Sequence, residues 1–240
     1  MLVLLTMWIW GVPLWSHRRL LLLVMGTHVG LVIIYQLTID LSIINSWRWD
    51  TVVHTLKMAD LRHNLLESFT YLHSQPPLFT AYGIGLDILF GSNRAEAMYA
   101  IQVILGALMC GMSYGLLWHF TRNKTITLFV ALILAFNPAY FLFEALILYT
   151  IHSAFLVMSA GFCLLLYQRT AQNRYLYLFV LCINLLILIR SVYHIAFLIP
   201  ILLLVILLVQ ENPRRVLLGC LMICLLSVGW YGKNLLVFDS

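Results

Sequence analysis

The chain has 240 residues, 63% of them hydrophobic and only 10% charged, with a mean hydropathy of +0.97. Soluble domains carry about 25% charged residues, so a water-soluble globule is excluded. The formal net charge of +5, from 14 Lys and Arg against 9 Asp and Glu, is expected in cytoplasmic loops and does not point to nucleic acid.

The opening MLVLLTMWIWGVPLW is apolar but has neither a preceding basic region nor an A-x-A site. It reads as an interfacial or anchoring segment before His17-Arg18-Arg19 rather than a cleaved signal. A first span is expected over 20–37. Further apolar runs recur at about 20 residues, the length that crosses a roughly 30 Å hydrocarbon core as helix. They are rich in Leu, Ile and Val without alternation, which excludes an outer-membrane barrel. The expected fold class is all-α, a polytopic transmembrane helical bundle of about 7–8 spans in a single membrane domain over 1–240.

Residues 38–75 form a long first external loop, the one sizeable polar segment. Asp50, His54, Asp60, His63, Glu67 and His73 alternate there with Leu61, Leu65, Leu66, Phe69 and Leu72 at helical spacing. This pattern predicts an amphipathic helix lying on the bilayer. In "YLHSQPPLF" the pair Pro76-Pro77 ends that helix and starts the next, since proline suits a first helical turn and not an interior. His73 and Gln75 are then expected at headgroup depth. The short segment 77–90 either crosses fully, which by parity puts Arg122 and Lys124 outside, or only dips into the outer leaflet, which puts every basic loop inside.

Two later apolar stretches, 126–167 and 175–209, are too long for one helix each. Thirty-five residues of helix would reach about 52 Å. Each is expected to be a pair of spans, turning at Asn137-Pro138 with Glu144, Tyr149 and His152, and at Arg190-Ser191 with Tyr193 and His194. A last span covers 216–233. Basic clusters at Arg18-Arg19, Arg122 with Lys124, Arg169 with Arg174, and Arg214-Arg215 mark one side of the membrane.

Ionisable groups inside a membrane cost at least about 2.5 kcal/mol, so those present pair, snorkel or work. Arg190 at an external turn suits a phosphate, gripped by two parallel hydrogen bonds, or else snorkels there as a cap. His194, four residues on, is expected on the same helix face. Glu144 is either a structural partner of an arginine such as Arg190 or a substrate group, and Tyr149 is a weaker candidate beside it. Lys233, in Gly229-Trp230-Tyr231-Gly232-Lys233-Asn234, is a candidate phosphate contact. All five cysteines fall in apolar runs, and none has metal-ligand spacing in a polar loop. No phosphate-loop, HExxH or CxxC pattern occurs, which leaves a nucleotide-driven pump unsupported.

The order of these pieces, LLESFTYLHSQPPLF, LFGSNRAEAMYAIQVILGAL, AFNPAYFLFEALILYT, LILIRSVYH and GWYGKNLLVF, resembles the membrane module of GT-C superfamily glycosyltransferases. More closely, it resembles bacterial glycosyltransferase-like polytopic proteins related to the dolichyl-phosphate-mannose–protein mannosyltransferase family. The resemblance covers roughly 20–240 and implies sugar transfer from a polyprenyl-phosphate donor on the non-cytoplasmic face of a bacterial plasma membrane. The acceptor would be a glycan, lipid or protein. It implies that an acidic residue of the first external loop is the base, with Asp50 and Asp60 matching; the paired Asp-Glu of the superfamily is absent, because Thr51 follows Asp50. His73, Gln75, Arg190, His194 and Lys233 would hold the lipid phosphate, supported by Glu144 and Tyr149. No cofactor is required, and a divalent cation bridging carboxylates and phosphate stays open. Such proteins usually continue past the point where this sequence ends, which implies either a C-terminal truncation or a minimal version lacking acceptor recognition. The alternative expectation is a protein that binds or flips a polyprenyl-phosphate sugar without transferring it.

Overall fold

A computed structural model describes residues 17–38, 57–72, 75–146, 148–190, 192–209 and 212–238. Asp50 and His73 lie outside them. Eleven α-helices and no strand are present among the described residues. They are α1 (Arg18–Thr38), α2 (Met58–His63), α3 (Leu65–Tyr71), α4 (Pro77–Phe90), α5 (Arg94–Thr121) and α6 (Lys124–Ala135). There follow α7 (Pro138–Ala145), α8 (Thr150–Thr170), α9 (Asn173–Ile189), α10 (Leu198–Leu208) and α11 (Pro213–Phe238).

Local chemistry sets several of these boundaries. The Asn123 side chain accepts hydrogen bonds from the Thr125 and Ile126 amides and starts α6. Asn137 does the same for Ala139, with Pro138 in the first turn of α7. Left-handed residues at Arg122 (φ 53°) and Ala171 (φ 52°) end α5 and α8 and turn the chain back.

The buried helices α5 and α8 form the centre. Leu21, Val24, His28 and Val32 make one face of α1, packed against α5 and α6. On the other side α9 packs against α8 and α11, joined to α11 by the Asn184 amide on the Ile223 carbonyl and the Ser227 hydroxyl on Asn184. Such interhelical polar pairs hold helices together where lipid removes the hydrophobic drive. The outward faces are apolar: Leu22, Leu23, Ile33 and Ile34 on α1, and Leu221, Met222, Leu225 and Leu236 on α11 are exposed. Patches of this kind are what a bilayer covers. By length and composition α1, α4–α5 together, α8 and α11 can cross a membrane, and the bent pair α6–α7 makes a fifth.

The helix ends sort by charge. One end of the bundle gathers Arg18, Arg19, Arg122, Lys124, Arg169, Arg174, Arg214 and Arg215. It is tied together by His17 on the Tyr114 hydroxyl (3.0 Å), Arg169 on His119 Nδ1 (2.7 Å) and the Tyr167 hydroxyl on the Leu208 carbonyl (2.8 Å).

Four expectations change in detail. The stretch 126–167 does divide into helices, but Asn137-Pro138 is only a 43° bend, and the reversal comes at 146–149. An asparagine cap repairs the proline break, so the span continues. The loop helix is two short helices broken at Asn64; Leu61 and Leu72 are buried while Leu65 and Leu66 stay exposed. Arg190 and His194 do not share a helix face, because α9 ends at Ile189 and His194 caps a 3₁₀ turn over Ile195–Phe197. Finally, both ends of α4 lie away from the basic end: Phe79 meets Tyr149 and His152 at the start of α8, and Asp87 holds Arg94 at the start of α5.

Candidate functional site

The end opposite the basic clusters brings together the starts of α4 and α8, the end of α9 and the last turns of α11. Its scaffold is the reversal at 146–149, where Gln102 of α5 donates to the Leu146 (3.1 Å) and Leu148 (3.4 Å) carbonyls. That clamp satisfies carbonyls that the chain reversal would otherwise leave bare, and it fixes Tyr149 as the residue preceding α8.

Arg190, just past the end of α9, places its guanidinium carbon 5.1 Å from the centre of the Tyr149 ring. Among the described residues no carboxylate pairs with it, and its Nε is buried without a hydrogen-bond partner. Phe79 packs on Tyr149 (5.8 Å) and on His152 (5.8 Å), and Tyr82 lies edge-on to His152 (4.8 Å). Among the described residues the Tyr82 and Ser153 hydroxyls are likewise buried without a hydrogen-bond partner, and the His152 ring is buried beside the Leu148 carbonyl. Buried polar atoms are nearly always satisfied in folded proteins. Here Tyr82 of α4 and Arg190 past the end of α9 carry such atoms, and Phe79, Tyr149 and His152 connect them through ring contacts, with no acidic partner for the guanidinium among the described residues. Such an arrangement favours an anionic, hydrogen-bonding ligand.

The other expected residues take varied positions. Gln75 is half-buried at the bend before Pro76. His194 is exposed, accepts the Ala196 amide (3.2 Å) and lies edge-on to Tyr231 (5.4 Å). Asp60 is exposed in the first turn of α2, in no ion pair among the described residues, while its neighbour Leu61 packs with Phe79. Lys233 is committed elsewhere. Its ammonium donates to the carbonyls of Phe69 (3.3 Å), Thr70 (3.0 Å) and Leu72 (2.7 Å) and sits 3.9 Å over the Trp230 ring. An ammonium has three donors, and all are taken by the C-terminal end of α3, where a cation also suits the helix dipole. In this structure Lys233 pins the surface helix rather than offering a hydrogen to phosphate.

Glu144 is not the partner of Arg190. Its carboxyl is fully buried against His28 of α1, Oε1 to Nε2 2.7 Å, where α5 passes as bare backbone at Gly106. Sequence reading passed over His28 and Gly106. A histidine midway along a leucine-rich span was the available signal for the first. It also passed over Asp87, which receives two hydrogen bonds from Arg62 (2.7 Å each) and one from Arg94 (2.5 Å) and so locks α2 onto the α4–α5 corner. Among the described residues no group of three or more His, Cys, Asp or Glu could hold a metal ion. Comparison of the chain with protein-family models, with curated proteins and with solved structures gave no match.

Proposed function

We propose that the protein is a membrane glycosyltransferase of GT-C type that grips a polyprenyl-phosphate sugar at the Arg190 end and transfers the sugar to an acceptor hydroxyl or amine. The observation that carries this reading is Arg190 itself, a cation at a helix end with no acidic partner among the described residues and a buried, unpartnered Nε. A departing phosphate needs charge stabilisation where it leaves, and a preorganised guanidinium supplies it. Tyr149 holds that guanidinium from one face. Gln75 and His194 border the same end, and Asp60 or Asp50 supplies the base that takes the acceptor proton.

The topology that goes with this reading has seven crossings: α1, α5, the bent α6–α7, α8, α9, α10 with its preceding 3₁₀ turn, and α11. In it α4 stays at the outer face, and all four basic clusters are cytoplasmic, as the positive-inside rule requires. The Arg190 end then faces the periplasm-like side, where lipid-linked sugars are consumed.

A second reading, binding or flipping of the lipid without transfer, draws on one observation: the exposed Asp60 carboxylate is oriented by no described side chain. The experiment is a transfer assay with polyprenyl-phosphate sugars, run beside a polyprenyl-phosphate binding assay in nanodiscs. The transferase reading expects Asp50→Asn with Asp60→Asn to abolish transfer and leave binding intact, and Arg190→Ala to weaken both. Transfer that survives the double substitution removes the catalytic assignment.

A further inference from the structure

A second ionisable site lies away from the Arg190 end, and the function above makes no use of it. His28 is the eleventh residue of the 21 in α1, and its side chain and that of Glu144 are 0% exposed. His28 Nε2 meets Glu144 Oε1 at 2.7 Å, while Nδ1 lies 3.4 Å from the Ala135 carbonyl. That carbonyl is available because of the bend in the span. The Ala139 amide, its partner in an unbroken helix, goes to the Asn137 side chain instead. The bend that Pro138 introduces therefore creates the acceptor that orients the histidine ring.

The proton count follows from donors and acceptors. A carbonyl only accepts, so Nδ1 carries a hydrogen. The contact between Nε2 and Oε1 then needs one more, on either atom. Without it two lone pairs would face each other at 2.7 Å. The pair therefore holds one exchangeable proton at zero net charge, and loss of that proton to water leaves a neutral imidazole, a carboxylate and a net charge of −1.

Two further features separate this pair from a plain structural strap. A Cβ at Gly106 would come 1.7 Å from Oε1 and 2.8 Å from Nε2, so the position on α5 closest to the pair is one without a side chain. Glu144 Oε2 is buried and accepts no hydrogen bond among the described residues, a feature that a strap alone does not need. The titratable groups facing the pair are Tyr99 and Cys110 from α5 and Tyr140 from α7, with Phe141 stacked on the His28 ring at 5.4 Å. From α6 it meets the Ala135 carbonyl, and among the described residues no Lys, Arg or Asp pairs with it. Ionisable residues kept within a span are characteristic of proton-handling sites.

We infer that His28 and Glu144 form an intramembrane proton-binding site, with a single exchangeable proton as its ligand, whose loading sets the position of Tyr149 beneath Arg190. Glu144 is the penultimate residue of α7, five residues before Tyr149, and between them Gln102 of α5 holds the Leu146 and Leu148 carbonyls. With the proton present, α7 is drawn onto α1. With it gone, the one remaining ring hydrogen cannot serve both the Ala135 carbonyl and the Glu144 carboxylate, so one of the two contacts at His28 is lost and the hold on the end of α7 weakens. The coupling to Arg190 rests on the proposed lipid-phosphate site; the proton site does not.

The test uses the full chain in nanodiscs. Infrared difference spectra between acid and alkaline buffer are recorded for the wild type, Glu144→Gln, His28→Gln and, as a control, Arg190→Ala. The expected result is a carboxyl band that changes with pH in the wild type and Arg190→Ala, is absent in Glu144→Gln and is displaced in His28→Gln. If Glu144→Gln removes no pH-dependent carboxyl band, the proton site is wrong. Glu144→Gln keeps an amide donor for Nε2, so it is expected to fold, and circular dichroism checks that it does. In a second arm, polyprenyl phosphate is titrated on both sides of the infrared midpoint. Its affinity is expected to fall by about tenfold from acid to alkaline in the wild type beyond the change seen in Glu144→Gln, which carries the ligand's own titration. Equal pH dependence in the two overturns the coupling. A wild type that binds no polyprenyl phosphate at either pH overturns the lipid-phosphate reading, and the infrared arm still decides the proton site.

Discussion

The middle of the bundle and its polar end treat charge in opposite ways. At the centre, Glu144 meets His28 from 116 residues away, Gly106 leaves space for the contact, and the pair is fully buried. At the polar end, Arg190 lies over the Tyr149 ring with no carboxylate partner among the described residues, and its Nε is buried without a hydrogen-bond partner. In the first region the two ionisable groups meet each other, and Glu144 Oε2 alone of their polar atoms is left without a partner among the described residues. In the second, Arg190 meets no acidic group among the described residues, which is what the proposed phosphate site draws on. Substitutions that are costly in one region should therefore be cheap in the other.

The largest expected effect is at Gly106. Gly106→Ala drives a methyl group into Glu144 Oε1 and should lower stability by about 3 kcal/mol, the upper part of the usual overpacking range. Thermal unfolding in detergent reads it, and adding Glu144→Ala should recover part of the loss by removing the clash. Failure of the second change to recover anything would mean that the glycine serves something other than the pair. Next comes Asp87→Asn, which leaves Arg62 and Arg94 facing a neutral amide. It should cost about 2 kcal/mol, less than breaking a fully buried pair because the Arg62 side chain is 56% exposed. Limited proteolysis should show α2 and α3 cut first.

Lys233→Met is expected to cost about 1 kcal/mol, the scale of a cation at a helix C-terminus, and to loosen α3 without disturbing the central helices. Hydrogen exchange over residues 65–72 measures that loosening. The smallest stability effect is at Arg190. Arg190→Ala should leave unfolding within about 0.5 kcal/mol of wild type, because no ion pair among the described residues is lost. A large destabilisation there would break the contrast between the two regions.

What the sequence disclosed was what local composition controls. The helices of the two long apolar stretches and the reversal beyond Arg190 follow from hydropathy, arginine clusters and span length. Pro76-Pro77 do introduce α4, and the five cysteines are buried and free. What stayed hidden depended on distant partners. Nothing near Glu144 in the chain points to His28. Nothing in GWYGKN shows that three carbonyls some 160 residues earlier occupy Lys233. Asn137-Pro138 looks like a turn because proline breaks a helix, yet the asparagine cap and the His28 ring take up the groups the break exposes, and the span carries on with a bend. That no acidic group among the described residues meets Arg190 is itself a statement about distant residues, and only the folded chain reveals it.

Binding of polyprenyl phosphate to Arg190→Ala, measured in nanodiscs against wild type and Lys233→Met, tests the central claim most directly. Loss of charge-assisted hydrogen bonds to phosphate should weaken binding by about tenfold or more in Arg190→Ala at unchanged stability, while Lys233→Met stays near wild type. Equal affinity of Arg190→Ala and wild type would contradict the account.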